Sequence, residues 1–521
     1  MTAHPPLRPF GSVDVPAPTG AEAADFDAWA VRTAGVPEPV LMENAGRAAA
    51  AVLDRLWPAG PVVGLVGAGN NGGDALVLLR TLAAWGRPVT AVVVGDREPS
   101  ALLHGWTVPT LTDTDLDRDG WEPLLSAAAV VVDGILGTGI RGAPRERQAA
   151  AIARVNGSGR PVLALDVPSG VDAATGAVAG QAIRADLTVA FGAPKLGGLL
   201  HPGRARTGRT VAVEIGFPPM GDDRAGARVV TPAWAQARLP VRAADTHKNA
   251  VGRLTLVAGS AGMAGAAILS ARAAFRAGVG LVQICSEAGN AAAIHAAVPE
   301  ALFVDAADAS ALEDALARAD AVALGPGLGT TEAAAAVAAR VLEGGGGPLV
   351  VDADGLNLVA AGRAPDLASV ARRRGLLVTP HPGEMRRLRP HADPDDPVGT
   401  AREAAQAWGC AVLLKGATSV VAQPDEPVRV DVGGSSDLAV AGMGDVLTGV
   451  AAALMARGLA PADAGSVALY LTGRAAKRSG RGRGTMPSDV VRWLPDALGE
   501  RGAGVTDLDL PFVTFDLDAS H

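Results

Sequence analysis

Short apolar, β-branched runs recur along the chain, each followed by a glycine-rich turn and an Ala/Leu-rich stretch. In the first half these runs are Val62–Val66, Val89–Val94, Val130–Asp133, Val162–Asp166, Leu187–Phe191 and Thr210–Glu214. Near-continuous apolar strands alternating with helices predict a parallel sheet covered on both faces. Ahead of them, Ala21–Thr33 and Val40–Trp57 read as two helices, the second ending before Pro58. Around Gly216–Ala227 the pattern breaks into a polar segment rich in Pro and Gly, which by composition marks a domain boundary. The alternation then restarts, with strands expected at Leu254–Ala258, Leu281–Cys285, Ala321–Leu324, Leu349–Asp352, Leu376–Thr379 and Ala411–Leu414. The fold class is therefore α/β, with two three-layer αβα domains over residues 1–225 and 226–505 and a loosely packed tail over 506–521.

Composition narrows the function classes. The 521 residues are 49% hydrophobic and 19% charged, which excludes disorder. A net charge of −8 carries no footprint for nucleic acid or anionic lipid, and 3% aromatics supply few base-stacking platforms. Two cysteines exclude a disulfide framework. The N-terminal stretch shows no basic-then-apolar leader pattern, and no uncharged apolar run is long enough to span a bilayer, so a cytoplasmic location is expected. Only four basic residues are lysines, at 195, 248, 415 and 477; the other 42 are arginines. A lysine kept in such a chain is a candidate for work that a guanidinium does poorly, as a compact charge or a tunable amine.

The first half carries its polar groups at strand ends, where α/β sheets bind ligands. Gly67-Ala-Gly69-Asn70-Asn71-Gly72-Gly73-Asp74 follows one strand and opens a helix, a glycine-rich turn whose backbone N–H groups can cradle a pyrophosphate. Asp96 closes the next strand at roughly the spacing of a ribose-binding acid. Asp133 precedes a second glycine-rich loop, Asp166 leads into Val167-Pro168-Ser169-Gly170, and Lys195 follows the fifth strand. Taken singly, the two aspartates could be helix caps and the lysine a solvated charge. Three consecutive strand ends with Asp, Asp and Lys favour a site.

In the second half the strongest pattern is Gly442-Met443-Gly444-Asp445 at an expected helix start. Glycines there let backbone N–H groups converge on an anion, and Asp445 stands beside them to accept a proton from a hydroxyl. Phosphoryl transfer needs both parts. Other strand ends carry Gly325-Pro326-Gly327, Asp352-Ala353-Asp354, His381-Pro382-Gly383-Glu384 and Lys415-Gly416-Ala417-Thr418-Ser419. Asp352 and Asp354 read equally well as cap residues and are left without a role.

These motifs carry a resemblance. LMENAGRA at Leu41–Ala48, GAGNNGGD, VVDGILGTGIRG and LDVPSGVD resemble NAD(P)H-hydrate epimerases of Rossmann-like fold. The resemblance implies that Asn70, Asn71, Gly72, Gly73 and Asp74, with Gly137, Thr138, Gly139, Ile140, Arg141, Gly142 and Ala143, hold the hydrated dinucleotide. It implies a K+ ion on Asn71, Asp133 and Ser169, with Asp166 contacting the substrate near its reacting carbon; Asp166 and Lys195 are the residues expected to handle protons there. GMGDVLTG, HPGE, DADGLN, LLKGATS and GSAGMAGA are similar to ribokinase-like, ADP-dependent NAD(P)H-hydrate dehydratases. That resemblance implies hydrate contacts at Ala266, Gly327, His381 and Asp445, with Asp445 as the catalytic base. It places the phosphates of ADP, the co-substrate, near Lys415, Gly416, Ala417, Thr418, Ser419 and Gly444, with Mg2+. His247-Lys248-Asn249 departs from the family's usual His-Lys-Gly. The implied activity is repair of NADH and NADPH hydrates by a homo-oligomer with no nucleic-acid or membrane partner. The alternative is a ribokinase-like small-molecule kinase with a regulatory dinucleotide-binding first half.

Overall fold

Each apolar run becomes a strand because it is flanked by turn residues and has partners on both sides of the sheet. The computed structural model describes residues 9–519 apart from 99, 117–119, 222, 243, 246 and 248–250. Lys248 and Asn249 of the His-Lys-Asn sequence thus lie outside the described residues. The chain forms two units, one drawn from Pro6–Thr231 and Ala503–His521, the other from Pro232–Gly502.

In the first unit, strands Val62–Val66, Val130–Gly134, Val162–Leu165, Leu187–Phe191 and Arg209–Val213 run parallel in that spatial order. On the other side of Val62–Val66 lie Val89–Val93 and the short strand Thr110–Thr112, also parallel. Alternate residues serve opposite faces. Val62 and Val66 pack with Leu53 and Leu79 from helices Glu38–Leu56 and Asn70–Ala84, while Val63 and Leu65 pack with Trp121 and Ile152. The chain reverses its direction of winding between Val62–Val66 and Val130–Gly134. A crevice opens at such a switch point beyond the strand ends.

The tail is not loose. Val513–Leu517 inserts antiparallel between Phe10–Gly11 and Arg209–Val213, with a register irregularity between Val513 and Phe515. Phe515 is fully buried, and the buried Asp516 takes two hydrogen bonds from Arg209, at 2.9 Å from Nε and 2.7 Å from Nη2. A bidentate Arg–carboxylate pair of this kind fixes geometry as well as adding energy. The expected tail is therefore an integral strand of the first unit.

In the second unit, Leu302–Asp305, Leu281–Ser286, Arg253–Val257, Ala321–Leu324, Leu349–Val351, Leu376–Val378 and Ala411–Leu414 lie side by side in parallel. Val420–Ala422 and Val428–Val430 extend the sheet antiparallel. Its switch point falls between Arg253–Val257 and Ala321–Leu324. Helices Ala264–Arg276 and Met443–Ala456 cross so closely that a Cβ on Gly449 would sit 2.1 Å from the Ser270 carbonyl oxygen. That contact sets the height at which Asp445 enters its site. Among the described residues no helix is long and apolar enough to cross a membrane.

Candidate active sites

At the first switch point the turn Gly67–Gly69 and the loop after Val130–Gly134 nearly touch. A Cβ on Gly67 would lie 1.8 Å from the Ile135 carbonyl oxygen, and one on Gly72 would lie 2.0 Å from the Gly67 oxygen. Only glycine allows this approach, and Arg97 braces it by donating to the carbonyls of Gly67 and Gly69. Asp96, the ribose-acid candidate, is fully exposed, is bound to Arg147 at 2.9 Å and is not part of the lining of the cavity at this switch point.

Beyond these strand ends lies a cavity of about 920 Å³. Asn70, Asn71, Asp74, the loop Gly137–Ile140, Asp166 and Lys195 line it. Gly72 and Gly73 are buried in the helix start behind the wall, and Arg141, Gly142 and Ala143 are not part of the lining. The Gly137–Ile140 portion of the second loop is therefore what reaches the cavity.

Asp166 sits just past Val162–Leu165 with φ +64, a left-handed conformation that is costly for a residue with a Cβ. The strain is held in place from several sides. The Asp166 N–H donates to Val189 O at 2.7 Å, and Phe191 N–H donates to Asp166 Oδ1 at 3.1 Å. Lys195 Nζ, almost fully buried, donates to Asp166 Oδ1 at 2.5 Å and to the carbonyls of Phe191 and Ala193 at 2.9 and 3.2 Å. All three N–H bonds of the ammonium are used, so Lys195 is a fixed charge beneath the carboxylate. Asp74 is pushed well above the usual carboxylate range by burial and by the nearby charges of Asp166 and Asp27. Asp27, which the sequence reading missed, also lines the cavity and is raised to about 6 by burial, with Asp166 and Glu38 adding and Lys195 opposing.

Behind the wall, Ser169 Oγ donates to Asp133 Oδ1 at 2.6 Å and its N–H donates to Asp133 Oδ2 at 2.8 Å. Burial lifts Asp133 to about 6 even against these hydrogen bonds. Leu136 joins the group, its N–H donating to Ser169 Oγ at 2.8 Å and its carbonyl accepting Asn71 Nδ2 at 2.7 Å. Asn71 Oδ1 is buried and accepts no hydrogen bond. An unpaired buried amide oxygen is costly and marks a place where a donor or a cation fits.

In the second unit, Asp445 occupies the first turn of Met443–Ala456, which follows Gly442 at φ +91. Its carboxyl is raised to about 6, chiefly by burial and then by Asp352, with Lys415 opposing. Lys415 Nζ donates to Asp352 Oδ1 at 2.7 Å, and Thr448 Oγ1 donates to Asp352 Oδ2 at 2.7 Å. A Cβ on Gly444 would come 3.5 Å from Lys415 Nζ and 3.6 Å from Asp352 Oδ2, so these groups form one cluster. Asp352, left without a role above, is thus its hub. Its position at a strand end, like that of Asp133 and Asp166, was the available signal.

The remaining candidates divide. Gly327 lies against the start of Ala264–Arg276, since a Cβ there would be 3.0 Å from that of Ala266. Gly416 and Ser419 meet in an exposed turn after Ala411–Leu414, with Gly416 N–H donating to Ser419 Oγ at 3.3 Å; Ala417 and Thr418 complete it. His381 caps helix Pro382–Leu388, its Nδ1 accepting from the N–H groups of Gly383 and Glu384. Its Nε2 lies 3.4 Å from Glu384 Oε1, and the side chain is half exposed to solvent. Among the described residues no three His, Cys, Asp or Glu side chains converge as a metal cluster.

Comparison with known proteins bears on both units. Residues 38–197 match the family model described as YjeF-related protein N-terminus, and residues 254–495 match the one described as NAD(P)H-hydrate dehydratase. The bifunctional NAD(P)H-hydrate repair enzyme of Moorella thermoacetica is 36% identical, covering 92% of this chain and 96% of its own length. That of Salinibacter ruber is also 36% identical, over 91% and 94%. A solved ADP/ATP-dependent NAD(P)H-hydrate dehydratase from Bacillus subtilis, co-crystallized with ATP and Mg2+, is 29% identical, covering 51% of this chain and 95% of its own, with a TM-score of 0.44. The resemblance read from the motifs thus holds for both halves, and the chain belongs to the family of bifunctional NAD(P)H-hydrate repair enzymes.

Proposed function

We propose that this chain restores hydrated NADH and NADPH in two steps: the first unit interconverts the R and S hydrates, and the second dehydrates the S form with ADP. The observation that carries the second step is the Asp445 carboxyl beside the Lys415–Asp352 pair at a glycine-rich helix start. A base whose pKa lies near 6 is well matched to taking a hydroxyl proton at neutral pH. The deprotonated ring oxygen attacks the β-phosphorus of ADP, and AMP departs. The phosphate ester then leaves as inorganic phosphate, driven by the ring-nitrogen lone pair, and loss of a proton from the neighbouring carbon restores the dihydronicotinamide. Lys415 and the helix N-terminus carry the charge that builds on the phosphates.

In the first unit, Asp166 faces the cavity on a fixed ammonium and is the residue we assign to the reacting carbon, with Lys195 holding it there. The resemblance implies K+, and the Asn71–Asp133–Ser169 group fits it: an orphaned amide oxygen, a carboxylate and a hydroxyl are hard oxygen donors. A bound K+ would supply a fixed positive charge behind the cavity wall. Mg2+ also fits the second unit as a passenger of the nucleotide, because that ion is commonly held by one or two carboxylates together with phosphates. The kinase alternative has no support in the relatives, whose names describe hydrate repair. Product analysis tests the reading: S hydrate with ADP should give NAD(P)H, AMP and phosphate in equal amounts, whereas a stable phosphorylated hydrate would refute it.

A further inference from the structure

The epimerase reading leaves one carboxyl in the cavity without employment. Asp27 belongs to helix Gly20–Arg32, which precedes the stretch matched by the family model. The helix is pinned on every side. Thr19 and Glu22 form a reciprocal cap, Glu22 also accepts Gly226 N–H at 2.9 Å, and Phe26 packs between Trp29 and Phe217. Leu196 N–H donates to Pro18 O at 2.9 Å, tying the helix start to the residue after Lys195. Asp27 thereby shares the cavity with the Asp166–Lys195 pair, within reach of both charges. Yet among the described residues its carboxyl takes part in no ion pair or side-chain hydrogen bond, whereas Asp166 is bound to Lys195 and Glu38 to Asn70. Nothing in the fold uses it.

One route that inverts a carbon carrying a hydroxyl beside a ring nitrogen, and the one this site is equipped for, lets that hydroxyl leave from one face and water replace it from the other. Two proton carriers are therefore needed, one for each face. Asp166 follows strand Val162–Leu165 and Asp27 lies on helix Gly20–Arg32, and both line the same cavity, so two carboxyls from different elements serve a ring bound there. We propose that Asp27 is the second proton carrier of this site, a proposal that rests on the epimerase reading. Asp27 gives its proton to the departing hydroxyl, the C–O bond breaks, and the nitrogen lone pair forms a C=N bond. Water then adds to the opposite face, its oxygen forming the new C–O bond, its spare proton passing to Asp166 and the C=N electrons returning to nitrogen. The two carboxyls exchange protonation in each inversion and are reset through solvent. Burial supplies the needed acid form, with Asp166 and Glu38 disfavouring the charged state and Lys195 favouring it.

The test uses the full chain with a purified single hydrate epimer and no ADP. Asp27→Asn should lower kcat for epimerisation by about 10²-fold or more with KM little changed, the usual loss for an acid–base group. It should also abolish the decline of wild-type rate as pH rises through about 6. Asp27→Glu should recover part of the rate together with that decline. Wild-type turnover in heavy-oxygen water should place one solvent oxygen on the ring per inversion. Near-wild-type kcat in Asp27→Asn, an unchanged pH profile, or retention of the original oxygen would each overturn the proposal. A wild-type protein that dehydrates S hydrate but never epimerises would instead overturn the epimerase reading beneath it.

Discussion

Lys415 Nζ stands 2.7 Å from Asp352 Oδ1, an ion pair that joins two strand ends, and the same carboxylate accepts a hydrogen bond from Thr448 Oγ1 of the helix that carries Asp445. Asp352 is closed to solvent, while Lys415 keeps 19% of its side chain open toward the site.

Removing Lys415 should act through Asp445. Lys415 lowers the Asp445 pKa, so Lys415→Met should raise it above its present value of about 6. A base works when deprotonated, so dehydration climbs with pH through that pKa, and the climb should move to higher pH in the variant. The substitution also strands the Asp352 carboxylate, which costs about 3–5 kcal/mol for a buried pair. The pH profile of dehydration and a thermal melt check both effects.

Asp445→Asn should keep nucleotide binding and lower dehydration by about 10²–10⁴-fold, as for other lost general bases. Calorimetry with ADP and a dehydration assay on the same preparation measure this. Activity within a few-fold of wild type removes Asp445 from the mechanism.

The buried tail strand makes the first unit depend on the far end of the chain. Phe515→Ala opens a cavity in its core and should cost about 3–5 kcal/mol. Deleting residues 503–521 should do more, leaving Arg209 without Asp516 and its sheet with an unpaired edge. Denaturant unfolding of the two proteins, read beside their epimerisation rates, measures the effect. Unchanged stability on deletion contradicts the strand's structural role.

Potassium should matter to the first unit alone. Exchange of K+ for tetramethylammonium should slow epimerisation while the Asn71→Ala variant loses its response to the exchange, because Asn71 Oδ1 then offers no ligand. Rates measured in the two salts at equal ionic strength decide it. A wild-type rate indifferent to the cation argues against the site.

Much of this was legible in the sequence, for identifiable reasons. Asp133, Asp166 and Asp445 could be placed because each follows a nearly continuous apolar run or a glycine turn whose geometry leaves few alternatives. The partnership of Lys195 with Asp166 spans 29 positions, and that of Lys415 with Asp352 spans 63, so neither has a local signal. Asp27 lay hidden because its helix reads as ordinary amphipathic structure. The strand Val513–Leu517 was missed because its partners, Phe10–Gly11 and Arg209–Val213, are remote in the chain and no turn announces the pairing. Strand and helix signals are local, while partnership is not.

On the proposed reading, two different sites act in sequence on one molecule. The most direct measurement gives the full-length protein pure R hydrate of NADPH with ADP and follows the near-ultraviolet absorbance of the dihydronicotinamide. Conversion to NADPH should go to completion with one AMP per molecule restored. An Asp166→Asn protein should fail on R hydrate beyond spontaneous epimerisation while still restoring S hydrate. Equal enzymatic rates on R and S hydrate in the Asp166→Asn protein would rule out two sites acting in sequence.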